Sequence, residues 1–260
     1  MAYLVDELTK RGFRWAYRVV DSRSFGLPQR RQRVVLLASR EEDPRPVLFG
    51  EDAGEPSTPS PEGQACGFYW TEGLRGLGWA VDSIPTLKGG SSIGIPSPPA
   101  IWMPDGSIVT PEIRDAERLQ GFDADWTRAA SGLKRGTGQR WRLIGNAVSV
   151  PVAEWLGERL LGRDREFDPI ESRELERGRP WPNAAWGEAG CTHVVKSSMW
   201  PRSTLRSPLS EFLEYDPAPL SARATAGFLE RTERSSLRFP PGLIEALELH
   251  LEGMKSSQAA

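Results

Sequence analysis

Only two cysteines and two histidines occur in these 260 residues: Cys66, Cys191, His193 and His250. Two thiols cannot make a disulfide framework, and these four residues together assemble no metal-ligand set. Long apolar runs are missing as well, none approaching the ~18 residues that a membrane span requires. The opening Met1-Ala2-Tyr3-Leu4-Val5-Asp6 lacks the basic-then-apolar layout of a secretory leader, so the expected location is cytoplasmic. Nor is there an excess of positive charge. Lys and Arg number 33 against 35 Asp and Glu, for a net charge of -2, which argues against wholesale coating of nucleic acid.

What charge there is sits unevenly. Between Lys10 and Arg33 eight basic residues face one acid, Asp21, and such clustering matters more for a groove binder than the total. A hydrophobic fraction of 38% with 26% charged residues supports the core of one or two globular domains.

Periodicity gives a first set of elements. Leu4, Val5 and Leu8 recur at helical spacing before Gly12. Phe13, Trp15, Tyr17 and Val19 then alternate with Arg14, Ala16, Arg18 and Val20, predicting a half-buried strand. After a loop over 24–28, the run Val34-Val35-Leu36-Leu37-Ala38 has no polar alternation, which predicts a strand covered on both faces. A lone hairpin is marginally stable, so this one reads as the edge of a sheet whose centre lies elsewhere.

The stretch 40–62 is acidic and proline-rich, as at a domain boundary or mobile loop, and 63–107 reads as irregular structure with a few short strands. Gly73, Gly76 and Gly78 read as turns. Lys88-Gly89-Gly90-Ser91-Ser92 combines free backbone N–H groups, hydroxyls and a lysine, which suits phosphate oxygens; a solvated glycine turn is the other reading. Thr110, Pro111 and Glu112 look like the cap and first turn of a helix closed by Gly121. A second helix starts near Ser149-Val150-Pro151, with Val152, Trp155, Leu156 and Leu160 on one stripe. Between them, Arg128, Lys134, Arg135, Arg140 and Arg142 occur without one acid from Trp126 to Ala153. That segment is either a flexible clamp for a nucleic-acid backbone or a solvated connector. In the tail, Trp181, Trp186 and Trp200 are expected to pack against protein, helices are predicted over 221–234 and 241–254, and 256–260 should be disordered.

Three blocks stand in a telling order: Gln29-Arg30-Arg31-Gln32-Arg33 before an apolar strand, Arg118-Leu119-Gln120-Gly121-Phe122, and Gly145-Asn146-Ala147-Val148-Ser149-Val150-Pro151. Together they resemble the second half of a DNA cytosine-C5 methyltransferase, over residues 1 to about 162. Asp123 stands where that family usually has proline. The family's Phe-x-Gly-x-Gly cofactor loop, Pro-Cys-Gln nucleophile turn and Glu-Asn-Val block occur nowhere in the chain.

The resemblance implies roles. Arg33 would face the carbonyl of the target cytosine, with Arg31 supporting the pocket or a phosphate. Asn146, Ala147 and Val148 would contact S-adenosylmethionine. Gln29, Thr86, Lys88, Ser91, Arg118, Lys134 and Arg135 would serve DNA binding. In this family a cysteine thiolate adds to C6 of a cytosine flipped out of the duplex, and the resulting enamine takes a methyl group at C5. A guanidinium at O2 suits the charge that develops there, and losing such a donor typically costs roughly 3 to 4 kcal/mol of transition-state stabilisation. Neither Cys66 nor Cys191 lies in the nucleophile's context, so the thiolate is expected from elsewhere.

The expected architecture is α/β: part of a Rossmann-like S-adenosylmethionine-dependent sheet, a small loop-rich recognition domain and a helical C-terminal extension. The expected boundaries are 1–40 for the last catalytic hairpin, 41–143 for target recognition, 144–162 for a closing helix and 163–260 for the extension. The expected partners are double-stranded DNA and an N-terminal methyltransferase half supplied as a separate chain. An inactive gene fragment and a non-catalytic DNA-binding module are the alternatives.

Overall fold

A computed structural model describes residues 1–90, 96–133, 136–162, 171–176 and 178–259, with 257–259 described by backbone alone. The first half of the chain forms α1 (Ala2–Lys10), β1 (Arg14–Asp21), β2 (Gln29–Arg30), β3 (Gln32–Ser39), α2 (Arg45–Phe49), β4 (Cys66–Phe68), β5 (Ala80–Val81), β6 (Ile84–Pro85), β7 (Ala100–Trp102) and β8 (Ile108–Thr110). Next come α3 (Ile113–Arg118), α4 (Gly136–Asn146) and α5 (Val150–Leu161). The tail adds β9 (Ser172–Glu174), β10 (Ala184–Glu188), β11 (Cys191–Val195), α6 (Leu209–Phe212), β12 (Ala218–Pro219), α7 (Ala222–Glu233) and α8 (Leu243–Ala259). The fold is α/β, with antiparallel sheets and one parallel pair.

The chain divides into two compact units. The first comprises 1–26, 31–57 and 149–205. Its sheet runs β3-β1-β10-β11-β9, all antiparallel. Ala16, Val20, Phe25, Leu48, Phe49 and Trp155 form the core against one face, while Val5, Trp15, Tyr17 and Ala185 form a second cluster. Arg18 points into this unit and is wholly buried. Its guanidinium donates to the carbonyls of Ser198 (2.8 Å) and Leu48 (3.0 Å) and pairs with Asp52 (3.2 Å), an arrangement that satisfies a charge otherwise costly to desolvate. Glu51 beside it accepts from Arg202 (2.9 Å), Trp155 Nε1 (3.2 Å) and Arg159 (3.3 Å). The acidic segment that reads as a linker thus begins as a fixed part of this unit.

The second unit comprises 27–30, 58–148 and 206–260. Its main sheet runs β12-β8-β7-β4-β5, and β2 pairs in parallel with β6, Gln29 opposite Ile84 and Arg30 opposite Pro85. Helices α7 and α8 bury Phe228, Leu243 and Leu247 against Phe68, Ala100 and Ile108. A second cluster joins Ile84, Leu87, Ile101, Leu119, Trp141 and Ile144.

Several expectations need correction. The hairpin does find a sheet in this chain, because β10 and β11 of the tail pair onto β1. Strand β1 is buried on both sides except at exposed Arg14 and half-buried Val19, since cores lie against both of its faces. The apolar run of β3 is the edge instead: Gln32, Arg33 and Val34 are exposed, Val34 by 50%, and the rest is only half-buried. Pro111 does not open a helix. Residues 108–110 are a strand, and Glu112 caps α3 by accepting from Arg114 N at 2.7 Å. The basic connector contains α4, whose Trp141 and Ile144 are buried. Leu160 is 47% exposed rather than part of the α5 stripe. The three tryptophans of the tail do pack: Trp181 tilts against Trp15 and Tyr17, Trp186 stacks on His193 at 4.2 Å, and Trp200 is 9% exposed. The tail contributes strands as well as helices, and α8 continues to Ala259 where disorder was expected.

Candidate functional site

Hydrogen bonds tie the first motif block to the second within the second unit, and the first to the third within the first unit. In the second unit Gln29 is wholly buried. Its Nε2 donates to Leu119 O (2.7 Å) and to Gln120 Oε1 (3.2 Å), and its Oε1 accepts from Leu87 N (2.9 Å). Gln120 in turn donates to Ile144 O at 2.9 Å, two residues before Asn146. Thr86 Oγ1 donates to Arg30 O at 3.0 Å. Gly145 and Gly89 pack backbone to backbone: a Cβ built on Gly145 would fall 2.1 Å from Gly89 N, so only glycine lets α4 approach the 88–89 turn.

A matching relay exists in the first unit. Arg31 is buried at 4% exposure, and its carbonyl accepts from Ser22 N (3.0 Å) and Ser22 Oγ (3.3 Å). Ser22 Oγ also lies 2.8 Å from Oγ of Ser149, the residue preceding α5. Arg33 is exposed on the open edge strand, and its Nη1 donates to the carbonyl of its neighbour Gln32 at 2.7 Å.

Other expected site residues divide by partner. Gln29 is wholly buried, with its amide engaged in three internal bonds. Arg118 pairs with Asp115 (2.6 Å) and Glu214 (2.5 Å) and donates to Phe212 O (2.7 Å), so it braces α3 against the tail. Lys88 is exposed, lies 3.5 Å over the Tyr69 ring and pairs with Glu72. Thr86 is half-buried. Arg140, from the basic stretch, pairs with Glu117 (3.0 Å) and Asp125 (3.2 Å). Arg128 and Arg142 are exposed and carry no ion pair among the described residues. Asn146 and Val148 are exposed and Ala147 is half-buried at the end of α4. Ser91, Lys134 and Arg135 lie outside the described residues.

Neither thiol resembles a poised nucleophile. Cys66 is buried, and burial pushes its thiol up to about 11, away from the reactive thiolate. Cys191 is exposed on β11, three strand spacings from β3 in the sheet order, roughly 14 Å at ~4.8 Å per strand. No group of three or more His, Cys, Asp or Glu that could hold a metal ion occurs among the described residues, and no described helix is long and apolar enough to cross a membrane.

Sequence reasoning missed Gln120 as a hub and α4 as a helix. Trp141 and Ile144 at a three-residue spacing were the available signal for α4. It also missed an apolar cleft of about 500 Å³ in the second unit, walled by Phe122, Trp126, Leu133, Leu143, Ile144 and Ala147 among others.

Comparison with known proteins supports the family that the motifs resemble. The family model for C-5 cytosine-specific DNA methylase matches residues 1–65. A Bacillus subtilis (strain 168) protein named Type II methyltransferase M2.BsuMI is 48% identical over 257 residues, which is 95% of this chain. The chain spans 66% of that relative's length. No solved structure matches.

Proposed function

Because this chain belongs to the C-5 cytosine-specific DNA methylase family, we propose that it is the target-recognising, pocket-closing part of a DNA cytosine-C5 methyltransferase. The observation that carries this reading is the relay from Gln29 through Gln120 to Ile144, which joins the first two motif blocks to the helix that runs into the third inside one unit. Residues 115 positions apart in sequence are thereby held in register, as an active centre built from separate blocks requires.

In this reading 1–40 supply the last hairpin of the Rossmann-like catalytic sheet, 41–143 the recognition domain, 144–162 the returning helix, and 163–260 an extension that strengthens both. The open edge of β3, with Val34 exposed, would receive a strand of the nucleophile-bearing half, supplied by a separate chain. Arg33 is the exposed guanidinium that would hold the charge developing on a flipped cytosine. Arg31, buried beside Ser22 and Ser149, positions that strand. Thr86, Lys88, Ser91, Lys134 and Arg135 remain the proposed DNA contacts, whereas Gln29 and Arg118 act by positioning. Duplex DNA is the proposed substrate partner.

For S-adenosylmethionine, this chain offers the exposed Asn146 amide and the exposed Val148 side chain, which fit the polar rim and apolar face of one edge of a nucleoside. When bound, the cofactor supplies an electrophilic methyl group. The rest of its pocket and the thiolate would come from the nucleophile-bearing half.

The test is reconstitution. The purified chain should transfer no methyl group to duplex DNA, and mixing with its nucleophile-bearing complement should restore transfer through an interface above ~2,000 Å². In the reconstituted pair Arg33→Ala should lose roughly 3 to 4 kcal/mol of transition-state stabilisation yet keep most DNA affinity, since phosphate contacts dominate binding. Activity of the isolated chain, or a collapse of affinity proportional to the loss of turnover, would overturn the assignment.

A further inference from the structure

We infer that the apolar cleft of the second unit is the seat of an apolar segment from the nucleophile-bearing half, an inference that rests on the function proposed above. Phe122 and Trp126 stack at 5.2 Å along one wall. Trp126 is 64% exposed, Leu133 60% and Leu143 51%, so three large apolar side chains of one cleft face outward together. Singly scattered apolar residues are ordinary on a surface, but a contiguous cluster in a concavity marks a binding site.

Three observations select the occupant. First, Ala147 is a wall of the cleft, and its neighbour Val148 is 64% exposed. The cleft is therefore continuous with the 145–148 block, the part of this unit expected to meet the catalytic half. Second, 34% of the length of the Bacillus relative lies outside the portion this chain spans, taking the 66% spanned from the whole, so a polypeptide of the required size exists in that relative. Third, the remaining lining is Ala129, Ala130 and Ile144 with one polar residue, Thr127, whose hydroxyl is already engaged by Glu117 and Arg140. A nucleobase needs hydrogen-bonding partners for its edges, and walls so poor in them favour a protein side chain over DNA. Exposed Arg128 and Arg142 belong to the same stretch without acids, and the docking segment should carry carboxylates beside its apolar anchor.

The full 260-residue chain would be co-expressed with the portion of the Bacillus relative that has no counterpart in it, and the pair isolated through a tag on that portion. Hydrogen exchange across 122–147 would be compared for the chain by itself, for the pair, and for the chain with duplex DNA. The expected result is protection in the pair and none from DNA by itself. Leu143→Glu and Trp126→Ala should each weaken the pair at least tenfold, while Leu249→Glu, at a 69% exposed position on α8, should leave it unchanged. Circular dichroism and melting of each variant separate lost docking from lost folding, and the two cleft variants must agree. A pair that forms equally well with both cleft variants would overturn the docking site and leave the proposed function standing. Protection by DNA alone, or sedimentation showing the cleft buried in a dimer of this chain, would likewise overturn it. Failure of the wild-type pair to form would overturn both.

Discussion

Gln29 and Gln120, 91 residues apart in the chain, meet amide to amide with 3.2 Å between Nε2 and Oε1. Between them they engage Leu87 N, Leu119 O and Ile144 O, so two side chains tie the backbone of three separate segments together. Truncating Gln29 removes the acceptor of Leu87 N–H and a donor to Leu119 O in a dry interior, and each such loss costs about 1 to 3 kcal/mol. Gln29→Ala should therefore lower the stability of the second unit by several kcal/mol, read as a lower urea midpoint, and should disturb the 86–89 turn before it disturbs the sheet of the first unit.

Two glycines on consecutive helices should respond oppositely to alanine. At Gly145 the new methyl meets Gly89 N at 2.1 Å and Lys88 C at 2.3 Å, both backbone, so the turn must move. Overpacking of this kind costs about 1 to 3 kcal/mol. At Gly157, inside α5, a Cβ meets nothing within 4 Å, and Gly157→Ala should add about 1 kcal/mol through helix propensity. Thermal melting of the two variants side by side checks both signs.

Acid should loosen the first unit selectively. Burial by itself would raise the carboxyl of Glu51, but bonds from Arg202 and Trp155, with Arg159 nearby, hold it below its ordinary 4.5. For Asp52 burial is likewise outweighed, by bonds from Ser198 and Gly54 and by the Arg18 charge, and it lies below its ordinary 3.8. A carboxyl depressed by folding contributes stability that is complete above the unfolded value and disappears as pH falls through the folded one. Stability measured by urea should thus drop as pH falls below about 4.5, and Glu51→Gln and Asp52→Asn should flatten that drop while lowering the plateau near neutrality.

The thiols give a direct readout of whether this chain holds a nucleophile. Iodoacetamide at neutral pH should modify exposed Cys191 and spare Cys66, whose thiol burial holds near 11. In the reconstituted enzyme Cys66→Ala and Cys191→Ser should both retain methyl transfer. Loss of transfer with either variant, in a protein of unchanged melting temperature, would place the chemistry on this chain.

Sequence by itself determined the motif order and the helices opened by a capping residue or a proline. Ser149-Val150-Pro151 opens α5, and Ser221 accepts from Ala224 N (3.3 Å) to open α7, because caps and proline act within one turn. Short strands in an irregular stretch were also legible from its glycine and proline content. Tertiary structure alone decided which cations are paired. Arg118 and Arg140 look identical in sequence to Arg128 and Arg142, yet the first two are bound by Asp115, Glu117, Asp125 and Glu214, acids lying between 3 and 96 positions away. It also decided that the hairpin near the N-terminus takes its sheet partners from 184–195, since strand pairing joins backbone groups that carry no local mark of their partner. Gln29 shows the same division: its presence in a block was readable, but its work as a buried clamp depends on bonds to residues 87, 119 and 120 that only folding brings within reach.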